Sequence, residues 1–357
     1  MNISISRILS LLAIASATFA SLDRAAADPL PGRDMLKFSQ APMINTTMPN
    51  VNGTVDTYFG HDELSTAYGF PTTAGAPTNY EGRFMADDFA DNLSSPIVHV
   101  KWWGSYFNDV INPQMPVNKF LISFETDVPQ GPGQPFSQPG TPLLNQVVTR
   151  GALSPGSGTF AEKVIRGPDP LLNESLYEYN AELNLNLAFP ELKDTVYWLK
   201  IVALVDVPVN GPQFDPYNPQ NSPAPITQWG WHNRDYTMQN PLASPNVSIG
   251  EVNVGQVAPG TNVWHFQDDS VRGDVRISTL PPSGSPLQPF IVQNNMLPQK
   301  YVDWADGPGF SNAAFPPVSN FSKDLAFELY TVQIPEPAGL SLLAIGAIGL
   351  LVRRKKS

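Results

Sequence analysis

Residues 177–189 read YEYNAELNLNLAF, and this stretch decides the fold class. An apolar or aromatic residue occupies every odd position from Tyr177 to Phe189, and the even positions from Glu178 to Asn186 are all polar. Side chains of a β-strand point alternately to the two sides of a sheet. The period of two therefore predicts a long strand with one buried side and one solvent-facing side.

Other segments extend this pattern to the whole chain. Alternation recurs at 98–106, 120–125 and 325–329, and the stretch from Val196 to Val205 is apolar on both sides except for Lys200, as in a central strand. The 37 prolines concentrate at 128–142, 207–225, 281–289 and 307–317. Proline cannot donate to a sheet ladder, so these segments predict loops. The sequence predicts an all-β fold: an antiparallel β-sandwich, jelly-roll-like, with long proline-rich loops.

The strand signals also suggest a division of the chain. Residues 85–333 are predicted to form the sandwich ectodomain, and 28–84, with few apolar runs, an irregular lead-in or edge strands. Two smaller sandwiches divided in the 207–225 loop are the alternative arrangement.

The N-terminus has the organisation of a secretory signal. Arg7 precedes an apolar run from Ile8 to Ala20, and small residues at 25–27 offer a cleavage site. A permanent membrane anchor needs about 20 apolar residues, more than this run contains. Residues 1–27 are therefore predicted to be a signal peptide.

The C-terminus combines three features in order. They are the triplet Pro335-Glu336-Pro337, an apolar run from Ala338 to Val352, and the basic cluster Arg353, Arg354, Lys355 and Lys356. Basic residues stay in the cytoplasm, so the bulk of the chain would face outward. An ordinary single-pass tail anchor would share the last two features.

Residues 334–357 resemble the PEP-CTERM sorting signal of Gram-negative bacteria. The resemblance implies a hydrophobic helix that holds the chain in the membrane transiently, recognition by an exosortase, removal of the tail, and delivery to the cell surface or an extracellular matrix. Three phrases of the ectodomain, at 85–89, 100–106 and 324–329, resemble uncharacterised β-sandwich domains carried by such proteins. That second resemblance implies a sandwich and brings no activity with it.

Composition excludes several classes of function. The formal net charge of −11 repels nucleic-acid phosphate, so no DNA or RNA partner is expected. The chain has no cysteine, no Gly-x-Ser-x-Gly elbow, and no metal-ligand spacing among His61, His99, His232 and His265. His99 falls on the outward side of its strand and is predicted to be solvated. The protein is predicted not to be an enzyme.

One pair of carboxylates supports an alternative. Glu125 and Asp127 are two residues apart in a predicted strand, so they share a side with Cα atoms about 6.8 Å apart. Glycosidases need two carboxyl groups at comparable spacing, so a carbohydrate-active hydrolase is the alternative function. Two solvated charges near a strand end are the simpler interpretation.

Two clusters of aspartates suggest a calcium site. Asp87, Asp88 and Asp91 could supply oxygen ligands to calcium, as could Asp268, Asp269 and Asp274 near a turn, although aspartates in turns usually bind backbone donors.

Tryptophans give a glycan-binding hypothesis. Trp102 is assigned to the core by its parity, which leaves Trp103 covered by a loop or accessible. The other candidates are Trp229, Trp231, Asn233 and Arg234. Exposed rings beside amide and guanidinium donors can hold sugars, whereas buried rings would belong to the core. The sequence thus predicts an exported surface or matrix protein with a structural or binding role, in contact with polysaccharide.

Overall fold

The computed structural model describes part of the chain. The described residues are 33–49, 55–58, 60, 62–71, 79–107, 109, 115–129, 132, 137–168, 174–184, 191–235, 270–278, 291–296 and 324–332. The predicted signal peptide, the sorting signal, the loops at 281–289 and 307–317, and the pair Asp268 and Asp269 lie outside them. Among the described residues, no helix has the length and hydrophobicity needed to cross a bilayer.

The described part of the chain forms sixteen strands and one short 3₁₀ helix at Pro219–Asn221. The strands are β1 (Asp34–Gln40), β2 (Thr46–Pro49), β3 (Val55–Tyr58), β4 (Asp62–Leu64), β5 (Thr66–Gly69), β6 (Asn79–Phe89), β7 (His99–Tyr106), β8 (Lys119–Val128), β9 (Gln138–Arg150), β10 (Thr159–Arg166), β11 (Leu176–Glu182), β12 (Tyr197–Asp206), β13 (Trp229–His232), β14 (Val271–Ser278), β15 (Ile291–Met296) and β16 (Phe327–Val332). The prediction of an all-β protein is confirmed.

Fourteen of these strands form one mixed sheet, and β2 pairs with β3 separately. The order along the sheet is β1-β16-β7-β11-β10-β9-β8-β12-β5-β6-β14-β15, with β13 bridging β4 and β7. Most pairs are antiparallel, as expected, but within the described strands β9–β10 and β5–β12 are parallel.

The central strand is the one that the sequence indicates. β12 pairs with β8 along one edge and with β6 and then β5 along the other. Leu199 and Ile201 enter the main core, and Trp198 and Val202 enter a second cluster on the opposite side. Apolar residues on both sides of β12 are therefore explained by burial of both sides.

The sheet curls so that its two halves enclose one core, as in a sandwich. The ring of Phe120 in β8 lies 5.3 Å from that of Trp102 in β7 and 4.9 Å from that of Trp229 in β13. At another point, Phe89 of β6 lies 6.4 Å from Phe327 of β16. These contacts join strands that are far apart in sheet order, and edge-on aromatic packing of this kind stabilises the core.

The 177–189 stretch departs from its prediction in two ways. Strand β11 ends at Glu182, and 185–190 lie outside the described residues. The even-numbered side of β11 is not solvated, because Glu178, Asn180 and Glu182 are all buried. Neighbouring strands place polar side chains on the same side, and these form hydrogen bonds and ion pairs with the buried polar groups of β11.

Neither predicted division of the chain coincides with a break in the fold. The division at residue 85 falls inside β6, so 28–84 contribute β1, β4, β5 and the start of β6 to the sheet. The main core takes Ala203 and Trp229 from opposite sides of the 207–225 loop, so one core spans that loop.

One proline-rich segment enters the sheet. Pro139 and Pro142 lie inside β9, opposite Asp127 and Glu125, where the register shifts. Irregular pairing tolerates residues without a backbone donor.

Candidate functional site

A buried polar network lies on the even-numbered side of β11. Lys101 of β7 places its Nζ 3.2 Å from Glu178 Oε2 and 3.8 Å from Glu328 Oε2 of β16. Register brings these three together, because Glu328 lies opposite Lys101, and Glu178 is two residues along β11 from Asn180, which also lies opposite Lys101. Period-two alternation in each strand then aligns side chains of like polarity across the sheet.

His99 lies in the most buried part of this network, between Asn180 and Glu182 of β11. Its Nε2 is 2.9 Å from Asn180 Oδ1, and its Nδ1 is 2.8 Å from Glu182 Oε1. The Asn180 amide nitrogen donates to Glu178 Oε1, so the amide oxygen faces His99 and accepts from Nε2–H. The Nδ1 atom therefore faces the carboxylates, with Asp34 Oδ2 at 3.9 Å. His99 is fully buried, so the prediction that it is solvated is wrong.

The nitrogen of His99 and the carboxylates of Asp34 and Glu182 lie within 4.8 Å of one another, which makes them a candidate cation site. Arg33 already forms hydrogen bonds with both carboxylates, however. Its Nη2 donates to Glu182 Oε1 and Oε2 at 2.8 and 2.9 Å, and its Nε donates to Asp34. Hydrogen bonds between a guanidinium and carboxylates are strong, and they compensate the buried charge without a metal. A divalent cation would have to compete with Arg33.

The predicted calcium ligands are directed to different partners. Asp87 Oδ2 accepts from the backbone N–H of Leu325 at 2.6 Å, and consecutive Asp88 points to the opposite side of β6. Among the described residues they do not form a close group of three with Asp91. Asp274 is paired with Arg83 across β6 and β14.

Asp91 belongs to a separate buried triad with Lys37 of β1 and Glu191, which precedes β12. Lys37 Nζ lies 2.7 Å from Glu191 Oε2 and 3.3 Å from Asp91 Oδ2, and all three side chains are buried. Burial, with the adjacent Asp91 carboxylate, raises the pKa of Glu191 to about 9, so Glu191 holds a proton at neutral pH.

The tryptophans proposed for glycan binding are not accessible. Trp103 is 4% exposed and packs with Leu176 and Ala326, with the Lys101 ammonium 5.2 Å from its ring centroid. Trp229 and Trp231 are fully buried. A ring must present a free face to stack on a sugar, so these side chains belong to the core.

Local structure explains this burial. β13 lies between β4 and β7 and pairs with both, which encloses its side chains. Trp229 Nε1 donates to Tyr179 Oη at 3.1 Å, and Trp231 Nε1 donates to the carbonyl of Ala326 at 2.9 Å. Close approach of β7 requires Gly104, since a Cβ there would lie 2.4 Å from the carbonyl oxygen of Gly230.

Asn233 and Arg234 follow β13 and are also buried. The Asn233 amide donates to the carbonyl of Arg234, and Arg234 Nε lies 2.9 Å from Asp324 Oδ2. Their polar groups are thus directed inward.

The candidate catalytic carboxylates have structural contacts. Glu125 is fully buried, not solvated, and forms an ion pair with buried Lys200 while accepting from Ser123 Oγ at 3.0 Å. Asp127 accepts from Trp198 Nε1 at 2.9 Å and from Ser137 Oγ. Burial lowers the pKa of Lys200. Both carboxylates are therefore engaged in contacts that stabilise the sheet.

A groove lies where β8 begins and β12 ends, and its volume is about 290 Å³. Asn118, Lys119 and Asp206 line it together with apolar residues that include Ile226 and Met115, which is 76% exposed. Lys119 Nζ lies 2.7 Å from Asp206 Oδ1. Polar groups beside an apolar wall are the usual composition of a ligand site. No feature of the sequence distinguishes these residues in advance.

Comparison with known proteins assigns the ectodomain. The family described as Domain of unknown function (DUF7901) matches residues 36–265, more than half of the chain. The chain belongs to this family. The match begins in β1 and continues beyond β13, so the matched residues contain His99, Asn180 and Glu182 and all of the Lys37 triad, whereas Arg33, Asp34 and Glu328 lie outside the match.

The C-terminus matches the PEP-CTERM protein-sorting motif at residues 333–356. The protein is therefore a PEP-CTERM protein with a DUF7901 ectodomain, and the motif implies export, exosortase processing and association with the cell surface. None of the curated proteins or solved structures matches the chain.

Proposed function

We propose that the protein is a non-enzymatic component of the cell surface or extracellular matrix, with an ectodomain that acts as a structural scaffold and binds polysaccharide. One observation carries the non-enzymatic part. Glu125 and Asp127, the acids considered for catalysis, hold Lys200 and Trp198 in place. A catalytic carboxylate needs access to substrate, and a buried ion pair does not provide it.

The groove beside β8 and β12 supports the binding part. Asn118 offers an amide and Asp206 a carboxylate, both able to hydrogen-bond sugar hydroxyls, while Met115 and Ile226 offer apolar contact. This site replaces the buried tryptophans as the place of polysaccharide contact.

The groove predicts a measurable difference between two asparagine variants. We expect Asn118→Ala to bind surface polysaccharide about 5- to 10-fold more weakly than wild type, the loss of roughly one hydrogen bond. Asn92→Ala, which changes an exposed residue outside the groove, is the matched control. Binding is measured by retention of the full chain on a panel of immobilised polysaccharides.

Two results would contradict this proposal. Equal retention of the Asn118 and Asn92 variants would remove the groove as the binding site. Release of sugars from any member of the panel by the wild-type protein would instead support the hydrolase.

The sorting motif predicts a processed C-terminus. Protein isolated from the native cell surface should end near Pro335, which intact-mass spectrometry measures directly. A chain with Glu336→Ala is expected to retain its tail, because the triplet is the recognition element. Surface protein that uniformly ends at Ser357 would count against processing.

A further inference from the structure

The Lys37 side chain is directed by an irregularity in β1. Leu36 pairs with Tyr330 and Phe38 pairs with Leu329, so the register moves past Lys37, which is the extra residue of a bulge. A bulge re-aims a side chain out of the regular alternation. Here it places the Lys37 ammonium in the interior, where it donates to the carbonyl of Ser95 and to Glu191 Oε2.

The Asp91 carboxyl group is presented to this amine with its two oxygens in different environments. Oδ1 accepts a hydrogen bond from the backbone N–H of Leu93 at 2.7 Å. Oδ2 faces Lys37 Nζ at 3.3 Å. Acyl transfer needs a carboxyl group in which a hydrogen-bond donor polarises one oxygen and the other oxygen can leave.

Glu191 completes the set as a carboxyl group held against the amine. The segment that carries it is fixed by two backbone bonds, from Asp194 N to the carbonyl of Asp91 at 2.7 Å and from Leu192 N to Tyr197 Oη at 3.0 Å. Its raised pKa keeps a proton available at neutral pH. An acid in this position can relay protons between the amine and the departing oxygen.

We propose that Lys37 and Asp91 become joined by an amide bond between Nζ and Cγ. A proton first passes from the ammonium to Asp91 Oδ2, and the freed lone pair attacks Cγ to form the Nζ–Cγ bond. The electron pair displaced onto Oδ1 is stabilised by the Leu93 N–H. Glu191 moves a second proton from Nζ to Oδ2, the Cγ–Oδ2 bond breaks, and one water leaves while Glu191 regains its acid form.

Two physical effects favour this reaction. Buried charges are costly, and the amide replaces an ammonium and a carboxylate by a neutral group. The reacting groups are already held near contact distance, which removes the entropic barrier of bringing them together. In an exported chain without cysteine, the bond would supply the covalent link between β1 and the end of β6 that a disulfide otherwise supplies.

The second buried lysine provides an internal control. Lys200 is paired with Glu125, but there the neighbouring group on the carboxylate is the Ser123 hydroxyl. A serine hydroxyl is far too weak an acid to relay the protons as Glu191 does. Lys200 is expected to remain covalently unmodified in the same molecule.

Mass spectrometry of the full chain tests the bond. We expect the folded wild-type protein to be lighter by one water, and a tryptic digest to contain a branched peptide that joins Lys37 to Asp91, with Lys200 unmodified. Asp91→Asn should lose ammonia in place of water, and Lys37→Arg, which keeps the charge but is not a nucleophile, should show the full mass.

Glu191→Gln keeps the shape of the triad without its acid and should leave Lys37 and Asp91 unlinked. Full mass in the folded wild-type chain would overturn the proposal, and that measurement requires no variant. A branch at Glu191 would overturn the choice of acceptor, and a link that survives Glu191→Gln would overturn the role of that acid.

Discussion

Trp229→Ala is expected to lower the free energy of unfolding by about 3–5 kcal/mol. The ring is fully buried, lies edge-on to Phe120 with centroids 4.9 Å apart, and donates from Nε1 to Tyr179 Oη. Truncation removes these contacts and leaves a cavity at the point where β13 meets the other half of the sheet. Urea denaturation of the purified chain, followed by tryptophan fluorescence and circular dichroism, measures the change.

Phe107→Ala is the matched control, because Phe107 is aromatic but 52% exposed. Its effect should stay within about 0.5 kcal/mol, the range of ordinary surface substitutions. A Trp229→Ala protein with wild-type stability and reduced binding to polysaccharide would show that the ring serves a sugar and not the core.

Glu125→Leu is expected to destabilise the fold by about 3–5 kcal/mol, because it removes the carboxylate that compensates the buried ammonium of Lys200. The double variant Glu125→Leu/Lys200→Met should recover most of this loss, since two apolar side chains of similar volume suit the surrounding cluster of Phe84 and Trp198. A double-mutant cycle by urea denaturation measures the coupling.

The pH dependence of the wild type follows from the same pair. Burial lowers the pKa of Lys200 below its ordinary value of 10.5. Between the lowered pKa of the folded chain and the ordinary pKa of the unfolded chain, the unfolded chain binds more protons at Lys200 than the folded chain does. The contribution of Lys200 to stability therefore rises with pH up to about 10.5. This rise should be absent in the Lys200→Met background.

An exposed ion pair provides the control for these charge effects. Glu81→Leu removes the partner of Arg276, and both side chains are solvent-exposed, so the expected change is below about 1 kcal/mol. A Glu125→Leu chain as stable as wild type would show that the Lys200 charge is compensated by other groups.

The period of two was enough to predict several features. It indicated the all-β class, the central position of β12 and the burial of Trp102, because burial on one or both sides of a strand selects apolar residues at fixed intervals. The C-terminal order of triplet, apolar run and basic cluster likewise identified the sorting signal, which is read as a linear segment.

His99 and Glu125 show where that reasoning stops. Both were predicted to be solvated, yet both are buried, His99 beside Glu182 of β11 and Glu125 beside Lys200 of β12. Alternation indicates on which side of the sheet a side chain lies, but it contains no information about what covers that side.

Fold class and cellular destination were thus determined by the sequence alone, because both depend on patterns within short, continuous segments. The Lys37 triad and the groove were decided only by tertiary structure. Residues 37, 91 and 191 meet because a bulge in β1 and the ends of two distant segments converge at one place. Such convergence depends on strand pairing across the whole chain, which no local spacing of residues specifies.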